Sequence, residues 1–189
     1  MIQSKTIRRL IALLAAATLL LAGCTSFADT YFDYDGSGYF VSEDGYLQIE
    51  YRDGFQQLSS VDKAVLGADW KKQQVNIQVG HLAKDSESIK ENEISSLAGF
   101  IGLYQETDLA NVLKYATVGK LQDYTFEGFT AAQGYDLDIN KSGDKVGARI
   151  YYLEDESSYY VIYLNGEKEH FKKNFELLEE MAHTLKVLK

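Results

Sequence analysis

Two neighbouring stretches, residues 146–153 and 159–164, alternate with period two and yet are apolar on both sides. In the first, Ile150 and Tyr152 point one way while Tyr151 and Leu153 point the other. In the second, Val161 and Tyr163 oppose Ile162 and Leu164. Successive side chains of a strand project to opposite faces of a sheet. A sheet containing these strands must therefore be covered on both faces. One cover is written at residues 167–187, where Phe171, Phe175, Leu178, Ala182 and Leu185 recur at helical spacing. Asn165 or Gly166 is expected to start that helix. Glu167 and Glu169 in its first turn, and Lys186 and Lys189 near its end, suit the helix dipole. The expected fold class is α+β: an antiparallel β-sheet covered by helices on both faces.

The rest of the chain supplies the other strands and the second cover. Residues 39–51 read as a hairpin about Asp44-Gly45, because glycine accepts positive φ without steric cost. Asp53-Gly54 marks the next turn, and residues 60–66 suit a short helix. Residues 74–82 form a half-buried strand, with Val75, Ile77 and Val79 opposite Asn76 and Gln78. Residues 85–104 turn helical, capped by Ser86 and striped by Ile94, Leu97, Ile101 and Tyr104. A second short helix is expected at 108–116. Strands are expected at 121–126 and 129–139, separated by Gly128, with a turn at 140–144. There is no proline, and the 14 tyrosines suit pleated, half-buried surfaces.

The N-terminus is built for export. Lys5, Arg8 and Arg9 precede an apolar run at 10–22, which Thr18 alone interrupts. As a helix this run would span roughly 20 Å, short for a bilayer core of about 30 Å. A basic start before a short apolar stretch is a signal-peptide layout. The run ends Leu21-Ala22-Gly23-Cys24, which resembles the lipobox of bacterial lipoproteins. The resemblance implies cleavage between Gly23 and Cys24, a diacylglycerol on the Cys24 thiol and acylation of its amine. Cys24 is the only cysteine, so an intramolecular disulfide and any multi-cysteine metal site are excluded. The expected organisation is a signal peptide at 1–23, a tether at 24–38 and one globular domain at 39–189. Loss of the three basic residues takes the formal charge from −9 to −12. Such a chain is a poor partner for nucleic acid and for anionic lipid heads, so acyl chains must supply the membrane attachment. The expected address is the extracytoplasmic face of the cell membrane, or the outer membrane of a cell that has one.

Three local patterns resemble the PsbP-like family, which is named after an extrinsic photosystem II protein and includes many bacterial lipoproteins. Ile49-Glu50-Tyr51-Arg52-Asp53-Gly54-Phe55 is similar to its early strand and turn, with Arg52 where proline is usual and Phe55 where tryptophan is usual. Phe126-Glu127-Gly128-Phe129-Thr130-Ala131 is similar to its glycine-to-alanine junction. Residues 171–186 are similar to its closing helix. The resemblance implies an α/β/α sandwich over 39–188, generally an accessory or binding role, and no catalytic residues to carry over.

Chemistry-bearing patterns are few. Asp33, Asp35 and Ser37, the Tyr39 carbonyl and Asp44 occupy positions 1, 3, 5, 7 and 12 of a segment that resembles an EF-hand calcium loop. Glu43 stands one place early for the usual bidentate glutamate. The alternative is an acidic, glycine-rich tether without metal. His170 and His183 point apart on one helix, and no His-x-x-x-His pair occurs. No Gly-x-Ser-x-Gly elbow is present. Asp136, Asp138, Asp155 and Glu156 read as solvated strand ends. Tyr151, Tyr160 and Tyr163, with Tyr152 and Tyr159, could line a ligand face with apolar rings and polar tips, or lie under the covering helices. The expected function is a membrane-anchored, non-enzymatic binding or accessory module with an envelope protein as partner. A calcium-binding lipoprotein and an envelope hydrolase built around His81 are the alternatives.

Overall fold

The computed structural model describes residues 38–42, 44–52, 54–58 and 65–188. The export segment, Cys24 and the tether through Ser37 lie outside them. Among the described residues, no helix is long and apolar enough to cross a membrane.

The first hairpin forms as expected. β1 (Tyr39–Val41) pairs antiparallel with β2 (Leu47–Glu50), Phe40 opposite Ile49. Gly45 turns the chain at φ 71°. Next come β3 (Gln56–Leu58), β4 (Val65–Trp70) and β5 (Val75–Ala83). The helix expected over 60–66 is corrected at its end, since Leu66 belongs to β4; residues 60–64 lie outside the described set. Leu66 and Ala68 alternate inward, each 1% exposed, and that period of two decides for a strand.

The second cover is α1 (Glu87–Glu91), α2 (Leu97–Thr107) and α3 (Ala110–Leu113). Ser86 caps α1 as expected, accepting from the Ile89 N–H. The single helix expected over 85–104 is broken. Glu93 adopts φ 54°, and Ser96 restarts the helix by accepting from the Gly99 N–H at 3.2 Å. The helix expected over 108–116 shortens to one turn, because Ala116 already begins the next strand.

β6 (Ala116–Val118) and β7 (Gln122–Asp123) both pair with β8 (Ala131–Lys141). The strand expected at 121–126 contracts to β7, because Tyr124 and Phe126 turn inward onto the Tyr151 ring. β8 turns into β9 (Asp144–Glu154) through Ser142-Gly143, both at positive φ, inside the turn expected at 140–144. β10 (Ser158–Glu167) follows, then α4 (Lys168–His183) and β11 (Lys186–Val187). Asn165 and Gly166 remain in β10. The cap of α4 is Glu167, whose carboxylate accepts from the Glu169 and His170 N–H groups. The helix ends short of 187 because Thr184 stops it: its hydroxyl donates to the Met181 carbonyl and accepts from the Glu50 N–H.

Among the described residues all strand pairing is antiparallel. The large sheet runs β3-β4-β5-β10-β9-β8-β6, with β7 beside β6 on β8; a small sheet runs β1-β2-β11. Two apolar layers enclose the large sheet. Tyr151, Leu153, Tyr160 and Ile162 pack under Phe171, Leu178 and Met181 of α4 and under the small sheet. Ile150, Tyr152, Tyr159 and Tyr163 pack under Ile89, Phe100, Ile101 and Leu109 of the α1–α3 segment. The fold is the α+β architecture expected from the doubly apolar strands.

Candidate functional site

Of the residues placed on the calcium-like segment, Asp33, Asp35 and Ser37 lie outside the described residues. Tyr39 stands on β1, 42% exposed. Asp44 is in the hairpin turn, where its Oδ1 accepts from the Ser42 hydroxyl at 2.6 Å and the Tyr46 N–H at 2.9 Å. Partial burial raises its pKa, but these two bonds together with the nearby His81 hold the carboxylate below its ordinary value. This oxygen serves the turn. Among the described residues, no group of three or more histidine, cysteine, aspartate or glutamate side chains is placed to hold a metal.

The tyrosines expected on one ligand face are divided between two. Tyr151 and Tyr160 lie under α4, Tyr163 under α2, and all three are at most 3% exposed. The division follows from strand alternation. The layer under α4 spends its tyrosine hydroxyl groups on internal bonds, and in the other layer the Tyr135 and Tyr152 hydroxyls bond each other. Tyr151 donates to Glu179 Oε1 at 2.6 Å. Arg149 sends Nε and Nη2 to the two Asp136 oxygens at 2.7 and 2.9 Å, and Nη1 to Glu179 at 3.1 Å. Its guanidinium also lies 4.5 Å from the centroid of Phe175. Burial and the Glu179 bond raise the Tyr151 pKa, so this phenol stays protonated. Asp136, read from the sequence as a solvated strand end, instead forms the fork that holds Arg149.

At the opposite end of the sheet the hairpin closes on β10. Tyr160 donates to Asp155 Oδ2 at 2.7 Å and shares a hydrogen bond with the Tyr46 hydroxyl at 3.1 Å. Asp155 Oδ1 accepts from the Ser157 and Ser158 N–H groups at 2.8 and 2.7 Å. Burial raises the Asp155 pKa, but the Tyr160 and turn bonds lower it further, so the net shift is downward. This carboxylate too is structural: it ties the β9–β10 turn to the hairpin. The His81 ring lies tilted 4.6 Å from the Tyr46 ring and 6.0 Å from that of Tyr160. Its Nδ1 is buried and has no hydrogen-bond partner among the described residues. Two tyrosine rings lie beside it, and the Asp44 carboxylate is near enough to feel its charge. His170 and His183 sit on α4, where His183 stacks on Phe126 at 4.1 Å.

Asp108, which no sequence pattern singled out, is a carboxyl whose pKa is shifted upward. It is 7% exposed, and its Oδ1 has no partner among the described residues. Burial raises its pKa, opposed by a bond from the Thr107 hydroxyl at 2.8 Å. The folded carboxyl thus keeps its proton to a higher pH than the unfolded one. Its contribution to stability is full below the ordinary carboxylate range and is lost as pH rises through the raised value. Asp108→Asn, which cannot ionise and can still accept from Thr107, is expected to stabilise by about 1 kcal/mol at pH 8 and to be neutral at pH 3. Urea unfolding at the two pH values checks this, and an equal effect at both would contradict it.

Openings on the surface are shallow. One groove of about 510 Å³ is lined by Gly38, Glu50, Tyr51, Arg52 and Leu177. Another, of about 360 Å³, runs past Tyr115, Thr117, Asp138, Lys145 and Lys168. The exposed large apolar side chains are Tyr39, Val41, Tyr115, Val118 and Leu121. The first two belong to β1, the outer strand of the small sheet; the other three flank or belong to β6, the outer strand of the large one.

No protein-family model and no curated protein matches the chain. Solved structures do. Cyanobacterial PsbP (CyanoP) from Synechocystis sp. PCC 6803 superposes with a TM-score of 0.55 at 9% identity, covering 83% of this chain and 98% of that one. A Pseudomonas aeruginosa protein of unknown function gives 0.46 at 13% identity, covering 85% and 98%. LpqN of Mycobacterium tuberculosis, involved in cell envelope biogenesis, gives 0.46 at 9% identity, covering 85% and 91%. The likeness to CyanoP assigns a PsbP-like fold and, at this identity, the fold alone.

Proposed function

We propose that this chain is a lipid-anchored, extracytoplasmic accessory module that binds a partner and does no catalysis. The observation that carries the reading is the placement of the exposed apolar side chains. All five large ones among the described residues lie on or beside the outer strands β1 and β6. Outer strands offer backbone hydrogen bonds as well as side chains to a partner. The polar networks inside the sandwich, by contrast, spend their donors and acceptors on one another. The lipobox-like Leu21-Ala22-Gly23-Cys24 supports attachment through acyl chains, with the acidic domain held off the headgroups by the tether.

Two measurements test this reading. Cells fed labelled palmitate are expected to mark the wild-type protein and not Cys24→Ala, which should leave the membrane fraction. An unlabelled wild type, or a Cys24→Ala protein as firmly membrane-bound as wild type, refutes the anchor. In-cell crosslinking of the lipidated chain should recover a discrete envelope protein, and recovery of none refutes the module.

A further inference from the structure

Resting on that reading, we propose that the groove beside Gly38 is the docking site of the chain's own residues 31–37, so that the anchored domain hangs on a shorter link than the whole tether. The groove, about 510 Å³, is lined by Gly38, Glu50, Tyr51 and Arg52 on the hairpin side and by Leu177 of α4 on the other. That volume is in the range that takes a ligand of several side-chain-sized groups. Tyr51 and Leu177 are half-buried and pack against the core under α4, which gives the groove apolar surface on both sides. The Tyr51 N–H donates to the Gly38 carbonyl at 3.1 Å, one pair beyond the β1–β2 register. After Arg52 the hairpin turns away, since the Phe55 N–H donates to the Arg52 carbonyl at 3.1 Å. The hairpin therefore offers no strand to pair with upstream of Gly38, and the groove is the surface next to that point.

The covalent link chooses the occupant. Ser37 is bonded to a residue that lines the groove. The segment before it is therefore presented at an effective concentration in the millimolar range, which a second copy or a separate protein has to overcome. Its composition also matches. Tyr31, Phe32 and Tyr34 carry rings, and Asp33 and Asp35 carry carboxylates. The rings suit the apolar surface of Tyr51 and Leu177. The carboxylates suit Arg52. Its Nη1 is bonded to Glu50 at 2.5 Å, while Nε and Nη2 have no described partner. A guanidinium has five donors, so its remaining edge can take a second carboxylate in charge-assisted bonds. Docking has a mechanical consequence. At full extension residues 24–37 span about 48 Å, and residues 24–30 alone about 24 Å. The domain is then held at about half the distance from its acyl chains, with the groove side tied to the membrane.

The test uses the full lipidated chain in detergent micelles, with photoreactive benzoylphenylalanine in place of Tyr34. Mass spectrometry is expected to find crosslinks within the chain, to the peptide holding Glu50–Arg52 or to the stretch of α4 around Leu177. The same probe at Phe27, in the undocked part of the tether, should not favour those peptides. Asp33→Lys/Asp35→Lys lies outside the globular domain and leaves its core untouched. It is expected to cut the yield at least threefold, and Arg52→Glu in the same chain to restore it. Equal yield in the charge-reversed chain, crosslinks scattered over the domain, or capture of a second copy or another protein from position 34 overturns the assignment. Cys24→Ala separates this result from the broader reading. That chain should leave the membrane and keep the crosslink, because docking needs no lipid. Palmitate labelling without the crosslink leaves the anchor standing and removes the docked segment.

Discussion

Gly134→Val is expected to lower the stability of the domain by about 3 kcal/mol, which for a chain of this size is a fall of roughly 6–12 °C in Tm. Gly134 sits in β8 opposite Tyr151. A Cβ there would stand 2.6 Å from the Ile150 carbonyl oxygen and 2.9 Å from the Tyr151 ring, with the Tyr124 ring 3.3 Å away. The backbone oxygen belongs to the central ladder and cannot yield without loosening β9. Tyr124 and Tyr151 meet edge to face at 4.9 Å over the bare backbone, so the glycine is what lets the ring lie flat on the sheet. Valine would expel Tyr124 and draw Arg149, which lies 5.7 Å from that ring, out of its fork with Asp136. Gly102 in α2 is the control, because nothing lies within 4 Å of its Cβ position. Gly102→Ala should stabilise by about 0.5–1 kcal/mol through helix propensity. Denaturant unfolding of the two variants checks the contrast, and a Gly134→Val domain as stable as wild type would remove the packing argument.

Such close approaches are not visible in a single sequence, whereas the frame that imposes them is. β9 and β10 were legible because Ile150 to Leu153 and Val161 to Leu164 leave no polar face, and α4 because its apolar residues keep a helical step. The first hairpin was legible from Asp44-Gly45. Its place was not: it joins β11 in a separate sheet, and β11 was hidden because Leu185 continues the helical stripe beyond the point where Thr184 ends the helix. β4 was hidden because Gly67 and Ala68 weaken its strand character. The break before α2 was hidden because Ile94, Leu97 and Ile101 keep a helical step although Ile94, just after the left-handed Glu93, precedes the restart at Ser96.

The candidate site divides in the same way. Alternation alone sends Tyr151 and Tyr152, or Tyr159 and Tyr160, to opposite faces. Which hydroxyl meets which acceptor depends on chain distant in sequence: Glu179 for Tyr151, Tyr46 for Tyr160. Asp108 gave no signal, because a lone aspartate between two short helices resembles any helix end. The exposed edge was equally silent. Tyr115, Val118 and Leu121 are exposed because β6 is the last strand in the order, and strand order is set by the whole sheet.

Leu178→Ala is expected to cost about 3 kcal/mol and to do so in one cooperative transition. Leu178 is fully buried at the centre of α4, among Tyr151, Leu153 and Met181. Truncation removes about three methylene equivalents of apolar contact and leaves a cavity that rigid tyrosine rings cannot collapse into. The second apolar layer, under α2, touches none of that volume. The two layers nevertheless share β9 and β10, whose alternate residues face each of them. If α4 lifts away, Tyr151 and Leu153 meet water, and the strands that present Ile150 and Tyr152 to α2 lose half their support. Loss on either face should therefore appear as loss of the whole sheet. Far-ultraviolet circular dichroism and tyrosine fluorescence should report one coincident, shifted midpoint for Leu178→Ala, and again for Leu109→Ala on the opposite face. Amide exchange in β9 and β10 should accelerate alike in both variants. Separate midpoints, with α2 and its strands still protected after α4 has unfolded, would show that the sandwich is two independently stable layers, and the shared-strand account of its stability would be wrong.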